Sequence, residues 1–413
     1  MTRTERSYYL LSGGYNLAQF FIAPIYPLFL LSRGLDLFEI NAVLATYGIT
    51  VFLFEVPTGA VADVAGRRVS FVIGCVIRTA AYALYTSSRG FTDCLVAEFI
   101  DAIGTTFVSG ALDAWAVDGI RADGDRRPTD RVFARAAVIA RALMIAGGVA
   151  AGYLAEVSLV VPWFVASALF VSTGIAGLLV MREPPRAPAP RSAIAVGRTA
   201  LEGLTIVRRS PILLVLCLLT LASAAAAFPV HMLWQPRLEE LGASHFRIMG
   251  WVVAAMNVTS LVGSALLPRL LRRFRREAIL GAASVFRSAA VALLAAAGRI
   301  DVALAGLLLQ ETAFGLREPV TTAWLNEHVA AAQRATVLSV HSTAMTLGAS
   351  AGLVIIGLVA RGLGIPAAFA VSAALFALAA PGYFLLGRVA ERSGGGTPVV
   401  DDRPVAKAVS ARS

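Results

Sequence analysis

The chain is poor in charge, in histidine and in cysteine, and it has almost no lysine. Only 15% of its residues are charged, well under the roughly 25% of a soluble domain, which excludes an ordinary water-exposed globule. The four histidines are scattered, and Cys75, Cys94 and Cys217 show no CxxC spacing and no neighbouring His. A disulfide framework, a metal site and a cofactor are therefore not expected, and the cysteines read as packing residues. No P-loop, HExxH or GxSxG run occurs, so the chain is not expected to be an enzyme. Lys407 is the single lysine among 36 basic residues, an arginine bias that points to GC-rich coding and not to function.

What is abundant is apolar sequence: 57% of the 413 residues are hydrophobic and the mean hydropathy is +0.73. It comes in blocks of about 20 or more residues, long enough as helix to cross a hydrocarbon core of ~30 Å. Continuous Ala, Leu, Val and Gly lack the alternation of a barrel strand, and lipid leaves the backbone no other way across than helix or barrel. Six blocks run Tyr8 to Leu31, Phe38 to Ala62, Val69 to Ser87, Phe91 to Ile120, Val132 to Ala155 and Val160 to Met181. Six more run Ile212 to Leu233, Phe246 to Leu267, Ala278 to Ala297, Val302 to Val329, Thr336 to Ala360 and Pro366 to Leu386. The expected fold is an all-α membrane protein of twelve transmembrane helices. The first block is too long for the apolar core of a cleaved signal peptide.

The net charge of +10 sits in alternate short connections, at Arg67/Arg68, Arg121 to Arg131, Arg182 to Arg209 and Arg269 to Arg276. That is a topology signal and no nucleic-acid footprint, and it places both termini and the central connection in the cytoplasm. The expected organisation is an N-terminal six-helix bundle over 1–183, a cytoplasmic linker over 184–210, a C-terminal six-helix bundle over 211–389 and a disordered cytoplasmic tail over 390–413. The linker opens with Pro184, Pro185, Pro188 and Pro190, and its later part, Ile194 to Val207, has the pattern of an amphipathic helix.

An internal repeat relates the halves. Cys75-Val76-Ile77-Arg78-Thr79-Ala80-Ala81 matches Ser284-Val285-Phe286-Arg287-Ser288-Ala289-Ala290, and the same register pairs Ala114-Trp115 with Ala323-Trp324, Asp118 with Glu327, and Pro27 with Pro236. Two pseudo-symmetric bundles related by a membrane-normal axis are the arrangement in which a substrate site lies between rocking halves near midplane.

The second block ends Glu55-Val56-Pro57-Thr58-Gly59-Ala60-Val61-Ala62-Asp63-Val64-Ala65-Gly66-Arg67-Arg68. Gly59 permits close helix approach and Gly66 a tight turn; Asp63 offers a charge to a helix N-terminus, and Arg67 a forked donor to a carboxylate. The run resembles the G-x-x-x-D-x-x-G-R-[KR] signature of the major facilitator superfamily, and the topology extends the resemblance from about Tyr8 to Leu386. The resemblance implies a gate in which Asp63 meets the start of the eleventh span and Arg67 meets Asp118, with Asp113 the alternative, while Arg68 adds basic charge. Leu267 to Phe274, the second-half counterpart, lacks the aspartate and the turn glycine. Helix 5 reads Gly147-Gly148-Val149-Ala150-Ala151-Gly152, without the proline motif of the family's drug exporters, whose helix 4 arginine is also missing. Glu-Val-Pro-Thr-Gly on helix 2 and Ser109-Gly110-Ala111-Leu112-Asp113-Ala114-Trp115 on helix 4 are similar to bacterial members described as drug or metabolite efflux proteins.

Ionisable groups inside a span cost about 2.5 to 3.5 kcal/mol each, so each is a candidate for function. Glu98 and Asp101 share one face of the fourth block, and Glu311 lies on the tenth. A carboxyl in a dry cavity resists ionisation, which suits proton coupling: Asp101 is the first expectation, then Glu98, with Glu311 in reserve. For Arg78, Arg141 and Arg287 a packing ion pair stands beside a functional role, and for the repeat pair Arg78 and Arg287 packing, as symmetric anchors, is the better reading. Tyr15, Asn16 and Gln19 form a polar patch on the first block for substrate binding. Asn257 and His341 are lone polar groups that a neighbouring helix satisfies more often than a ligand does.

The resulting expectation is a secondary active transporter, a monomer in a bacterial plasma membrane, that exports a small organic compound, a drug or secondary metabolite, by proton-coupled alternating access. The competing expectation is a proton symporter that imports a polar metabolite. A scaffold or sensor leaves the buried carboxylates without purpose.

Overall fold

The computed structural model describes residues 1–124, 128–183, 205, 207–208, 210–328 and 334–392. Among them every regular element is a helix. A first set comprises α1 (Arg3–Phe20), α2 (Tyr26–Ser32), α3 (Leu37–Ala65), α4 (Arg67–Ser87), α5 (Phe91–Val108), α6 (Ala111–Ala122), α7 (Asp130–Ala155) and α8 (Val161–Val180). A second comprises α9 (Pro211–Glu240), α10 (Phe246–Leu271), α11 (Arg276–Ala296), α12 (Ile300–His328), α13 (Arg334–Leu363) and α14 (Ile365–Arg392).

Local sequence accounts for where several of these begin and end. Thr2 and Glu5 close a reciprocal cap on α1, and Asp36 and Glu39 do the same for α3, satisfying amide groups that the first helical turn leaves unpaired. One residue, Gly66 at φ +99°, reverses the chain between α3 and α4, a conformation that a side chain strains. The Glu183 carboxylate accepts from the amide of Arg68 there, placing negative charge on the start of α4. Gly110, at φ +70°, breaks the rod formed by α5 and α6. Residues 21–25, with Pro24 among them, break the first block into α1 and α2.

Among the described residues ten helical rods are long and apolar enough to cross a membrane, α5 and α6 counting as one. The twelve expected blocks exceed that number at two places, for identifiable reasons. The first block is interrupted between α1 and α2, and α12 carries Glu311, Arg317 and Glu318 along its length. The expected linker helix over 194–207 lies outside the described residues except at 205 and 207, as do Arg126 and the tail from 393 onward. The last helix continues to Arg392, taking in the first three residues of the expected tail.

The repeat is visible in the packing. α4 lies against α5 and α8 as α11 lies against α12 and α14, and α1 lies against α7 and α8 as α9 lies against α13 and α14. The two sets meet chiefly along α3 with α13 and α7 with α10, pairs that the repeat exchanges. Both crossings are lined by glycine. A Cβ on Gly250 would come within 2.7 Å of the Gly148 carbonyl, and one on Gly357 within 2.9 Å of Asn41 Cβ. Without side chains α7 and α10 approach to backbone contact, while at α3–α13 glycine makes room for the Asn41 side chain.

The end of the molecule bearing Gly66 and Arg67 is called the motif end here, and the opposite end the far end. Polar links between the sets that the described residues make lie at mid-depth or at the far end. Arg361 meets Asp36 at 3.2 Å, Glu156 accepts from the Arg247 amide at 3.0 Å, and Gln235 donates to the Ala23 carbonyl at 3.0 Å. At the far end, then, the two sets are joined by side-chain contacts.

Candidate functional site

A cavity of about 480 Å³ lies between the two sets. Its wall is largely aromatic and methionine-rich, with Arg78, Glu98, Asp101, Arg141, His231 and Glu311 as its ionisable members apart from tyrosine. A small apolar chamber with a few convergent polar groups is the usual form of an organic-ligand site.

The first-set wall is organised around Arg78, which is 1% exposed. Its Nε donates to Asp101 Oδ1 at 2.7 Å and its Nη2 to Oδ2 at 2.9 Å, the two-pronged pairing that a guanidinium makes best. Nη1 donates to the Tyr15 hydroxyl at 2.7 Å and to Gln19 Oε1 at 2.8 Å, and the Phe170 ring lies 4.5 Å from the guanidinium carbon. Arg78, Asp101, Tyr15 and Gln19 are thus one buried cluster. Asn16 is apart from it: its amide donates to the Ser12 carbonyl at 2.8 Å, and it lines two clefts nearer the motif end.

One turn farther along α5, Glu98 is also buried but differently held. Tyr85 donates its hydroxyl to Glu98 Oε2. The Tyr26 hydroxyl stands 3.4 Å from that of Tyr85, and Trp163 stacks on the Tyr85 ring at 4.2 Å. Among the described residues Glu98 has no ion-pair partner. Tyr82 and Tyr85 follow Arg78 at helical spacing on one face of α4, a signal the sequence carries. Trp163 comes from α8, and no local pattern marks it.

The second-set wall repeats the plan with one change. Arg287, also 1% exposed, faces Gln310 where its counterpart faces Asp101, with Gln310 Oε1 accepting from Nη2 at 3.0 Å and Nε at 3.3 Å. The carboxylate is one residue on: Gln310 donates to Glu311 Oε1, which lies 3.7 Å from His231 Nε2. The expectation of two equal ion-pair anchors therefore holds for Arg78 and not for Arg287, which has a neutral amide as its hydrogen-bond partner. His231, on the seventh block of the sequence, escaped notice because a lone histidine in an apolar run has no pattern. His341 bonds Thr220 at 2.9 Å, away from the cavity. Arg141 reaches across from α7 to α10, donating to Asn257 Oδ1 at 3.1 Å.

At the motif end Arg67 donates to Asp118 at 2.5 Å, and Arg68 donates through its side chain to the Leu178 carbonyl. Gly59 and Asp63 line a cleft with Glu55 and Ser109, and Asp63 is exposed. The side chains at the start of α13, which the family resemblance offers to Asp63, lie outside the described residues. Asp113 accepts from Tyr8 at 2.7 Å.

The model of one protein family, described as Major Facilitator Superfamily, matches residues 9–247 and 233–411. An uncharacterized MFS-type transporter of Bacillus subtilis (strain 168), YxaM, is 24% identical over 375 residues, covering 89% of this chain and 92% of that one. Multidrug resistance protein 1 of the same organism is 25% identical over 167 residues, 40% of this chain and 42% of its own. Among solved structures the nucleoside transporter NupG superposes with a TM-score of 0.76 at 14% identity, covering 94% of this chain and 100% of that chain.

Proposed function

The chain belongs to the major facilitator superfamily, and from that premise we propose that this secondary transporter exports a small, partly apolar organic compound in exchange for protons. The aromatic and methionine-rich cavity and the partial match to a multidrug resistance protein support that substrate class and direction. In this reading the chain crosses a bacterial plasma membrane twelve times as a monomer, α1–α2 and α12 supplying the two crossings that composition alone leaves out. The motif end faces the cytoplasm because the basic connections gather there. The contacts that join the sets at the far end then act as the outer gate of an inward-facing state, and the bundles 1–183 and 211–389 rock about the cavity.

The observation that carries the coupling assignment is the contrast between two carboxyls one turn apart. Asp101 is held in a two-pronged pair by Arg78, whereas Glu98 lines the cavity with tyrosine for company and no cationic partner among the described residues. A carboxyl that exchanges protons must be stable both charged and neutral, and a fixed ion pair forbids the neutral form. Glu98 is therefore the coupling residue and Asp101 the strut, the reverse of the order suggested by burial depth in the sequence. Glu311, bonded to Gln310 and near His231, is the second-half counterpart.

Reconstituted liposomes with an imposed pH gradient test this. Glu98→Gln is expected to abolish gradient-driven accumulation while preserving downhill counterflow of the same compound. Uphill flux by Glu98→Gln with an unchanged pH dependence removes Glu98 from the coupling role. The sign of flux relative to the gradient separates export from uptake.

A further inference from the structure

A guanidinium inside a membrane span is retained only when something balances it. Arg78 has Asp101, and Arg287 is bonded by Gln310 and lies 4.3 Å from the Phe376 ring. Arg317 donates to Tyr383 at 3.3 Å, off the cavity. Arg141 differs from all three. It stands eleven residues into the 26-residue helix α7, near mid-depth, and lines both the central cavity and the cleft leading toward the motif end. It is exposed rather than buried. Of its five N–H groups, one is engaged among the described contacts, and its acceptor is the neutral amide oxygen of Asn257.

No carboxylate among the described residues makes an ion pair with Arg141. Asp113, which lines the same cleft, is engaged by the Tyr8 hydroxyl. Asn257 is fixed by donating its own amide to the Val253 carbonyl at 2.9 Å, which turns its oxygen toward Arg141. A neutral acceptor of this kind holds the guanidinium in place across the boundary between the sets. It also gives way to an anion without leaving a buried charge behind, since a charged acceptor forms the stronger bond.

We infer that Arg141 is the specificity-determining residue of the cavity and selects substrates carrying an anionic group, a carboxylate or its equivalent, beside an apolar body. The inference rests on the export reading for its biological sense and deepens it, by naming the charge of the cargo. The anion displaces Asn257 from Arg141, and the apolar body occupies the aromatic chamber beyond. Because the Arg141–Asn257 contact joins α7 to α10, the same exchange makes a link between the two sets depend on the substrate.

Binding to the detergent-purified protein tests this without any gradient, so a failure of coupling and a failure of specificity are told apart. The probes are benzoate, 1-naphthoate and 1-pyrenebutyrate, each against its methyl ester, read as ligand-dependent thermal stabilisation. At least one acid is expected to stabilise the wild type where its ester does not, and Arg141→Gln to weaken that acid by about tenfold or more. Arg141→Lys, which restores the charge without the fork, is expected to recover part of the loss. The ligand-free melting temperature of each variant separates lost binding from lost folding. Equal effects of acid and ester, no effect from any probe, or an acid preference that survives in Arg141→Gln each overturns the assignment. Acid-selective binding by a protein that catalyses no uphill flux upholds the role of Arg141 and defeats the coupled-transport reading instead.

Discussion

Arg78 and Asp101 satisfy one another so fully that removing either should cost folding rather than coupling. Asp101→Asn leaves a guanidinium buried with no counter-charge, and breaking a buried pair from one side costs about 3 to 5 kcal/mol. The expected outcome is a marked fall in melting temperature in detergent, partly recovered when Arg78→Met is combined with Asp101→Leu. Glu98→Gln, which keeps an acceptor for Tyr85, should cost no more than about 1 kcal/mol in the same measurement. A melting temperature unchanged by Asp101→Asn contradicts the strut. The sequence ranked Asp101 ahead of Glu98 on depth alone, because spacing along α5 shows only that they share a face. Which of them meets Arg78 depends on the rotation of α4 against α5, and that is set by packing across the whole bundle. Tyr82 and Tyr85 were within reach of a periodic reading from Arg78; Trp163, Gln235 and His231 entered the cavity from helices whose sequences give no hint of which residue turns inward.

Among the elements, the helices that touch across the two sets carry the state of the molecule. Glu156, just past α7, caps the start of α10 by accepting from the Arg247 amide at 3.0 Å, with His245 at 3.6 Å. The Arg247 amide holds its carboxyl below the usual glutamate range. A depressed value means that this contribution to joining the sets at the far end is complete above the ordinary glutamate pKa, about 4.3, and is lost as pH falls through the lower value. A cysteine at Leu44, which lines the cavity, should therefore be alkylated from the far end faster, relative to a free thiol at the same pH so that loss of thiolate cancels, as that side is acidified below about pH 4. Glu156→Gln should raise the rate at neutral pH roughly two- to fivefold, the size of an exposed charge at a helix start, and flatten its pH response. An unaltered rate in that variant takes Glu156 out of the gate. Helices themselves were legible wherever apolar runs were long. The breaks were not, because residues 21–25 and Gly110 interrupt backbone geometry without interrupting hydropathy.

For the whole molecule, the proposed twelve-crossing orientation makes a test on cells direct. With Cys75, Cys94 and Cys217 replaced, a cysteine at Arg272 should resist an external impermeant thiol reagent and one at Arg299 should react; the opposite pattern inverts the orientation. The repeat between Arg78 and Arg287 announced two like halves from sequence alone, and the exchanged helix pairs α3–α13 and α7–α10 are its consequence in space. Those two pairs meet through glycine, backbone against backbone at α7–α10 and glycine against the Asn41 and Ser350 side chains at α3–α13, and two places of contact define one line. A body held at two points can turn only about the line through them, as a door turns on a pair of hinges. So long as both crossings persist, the rocking proposed above opens one end only as it shuts the other, and the same geometry that admits the substrate then works against a continuous pore.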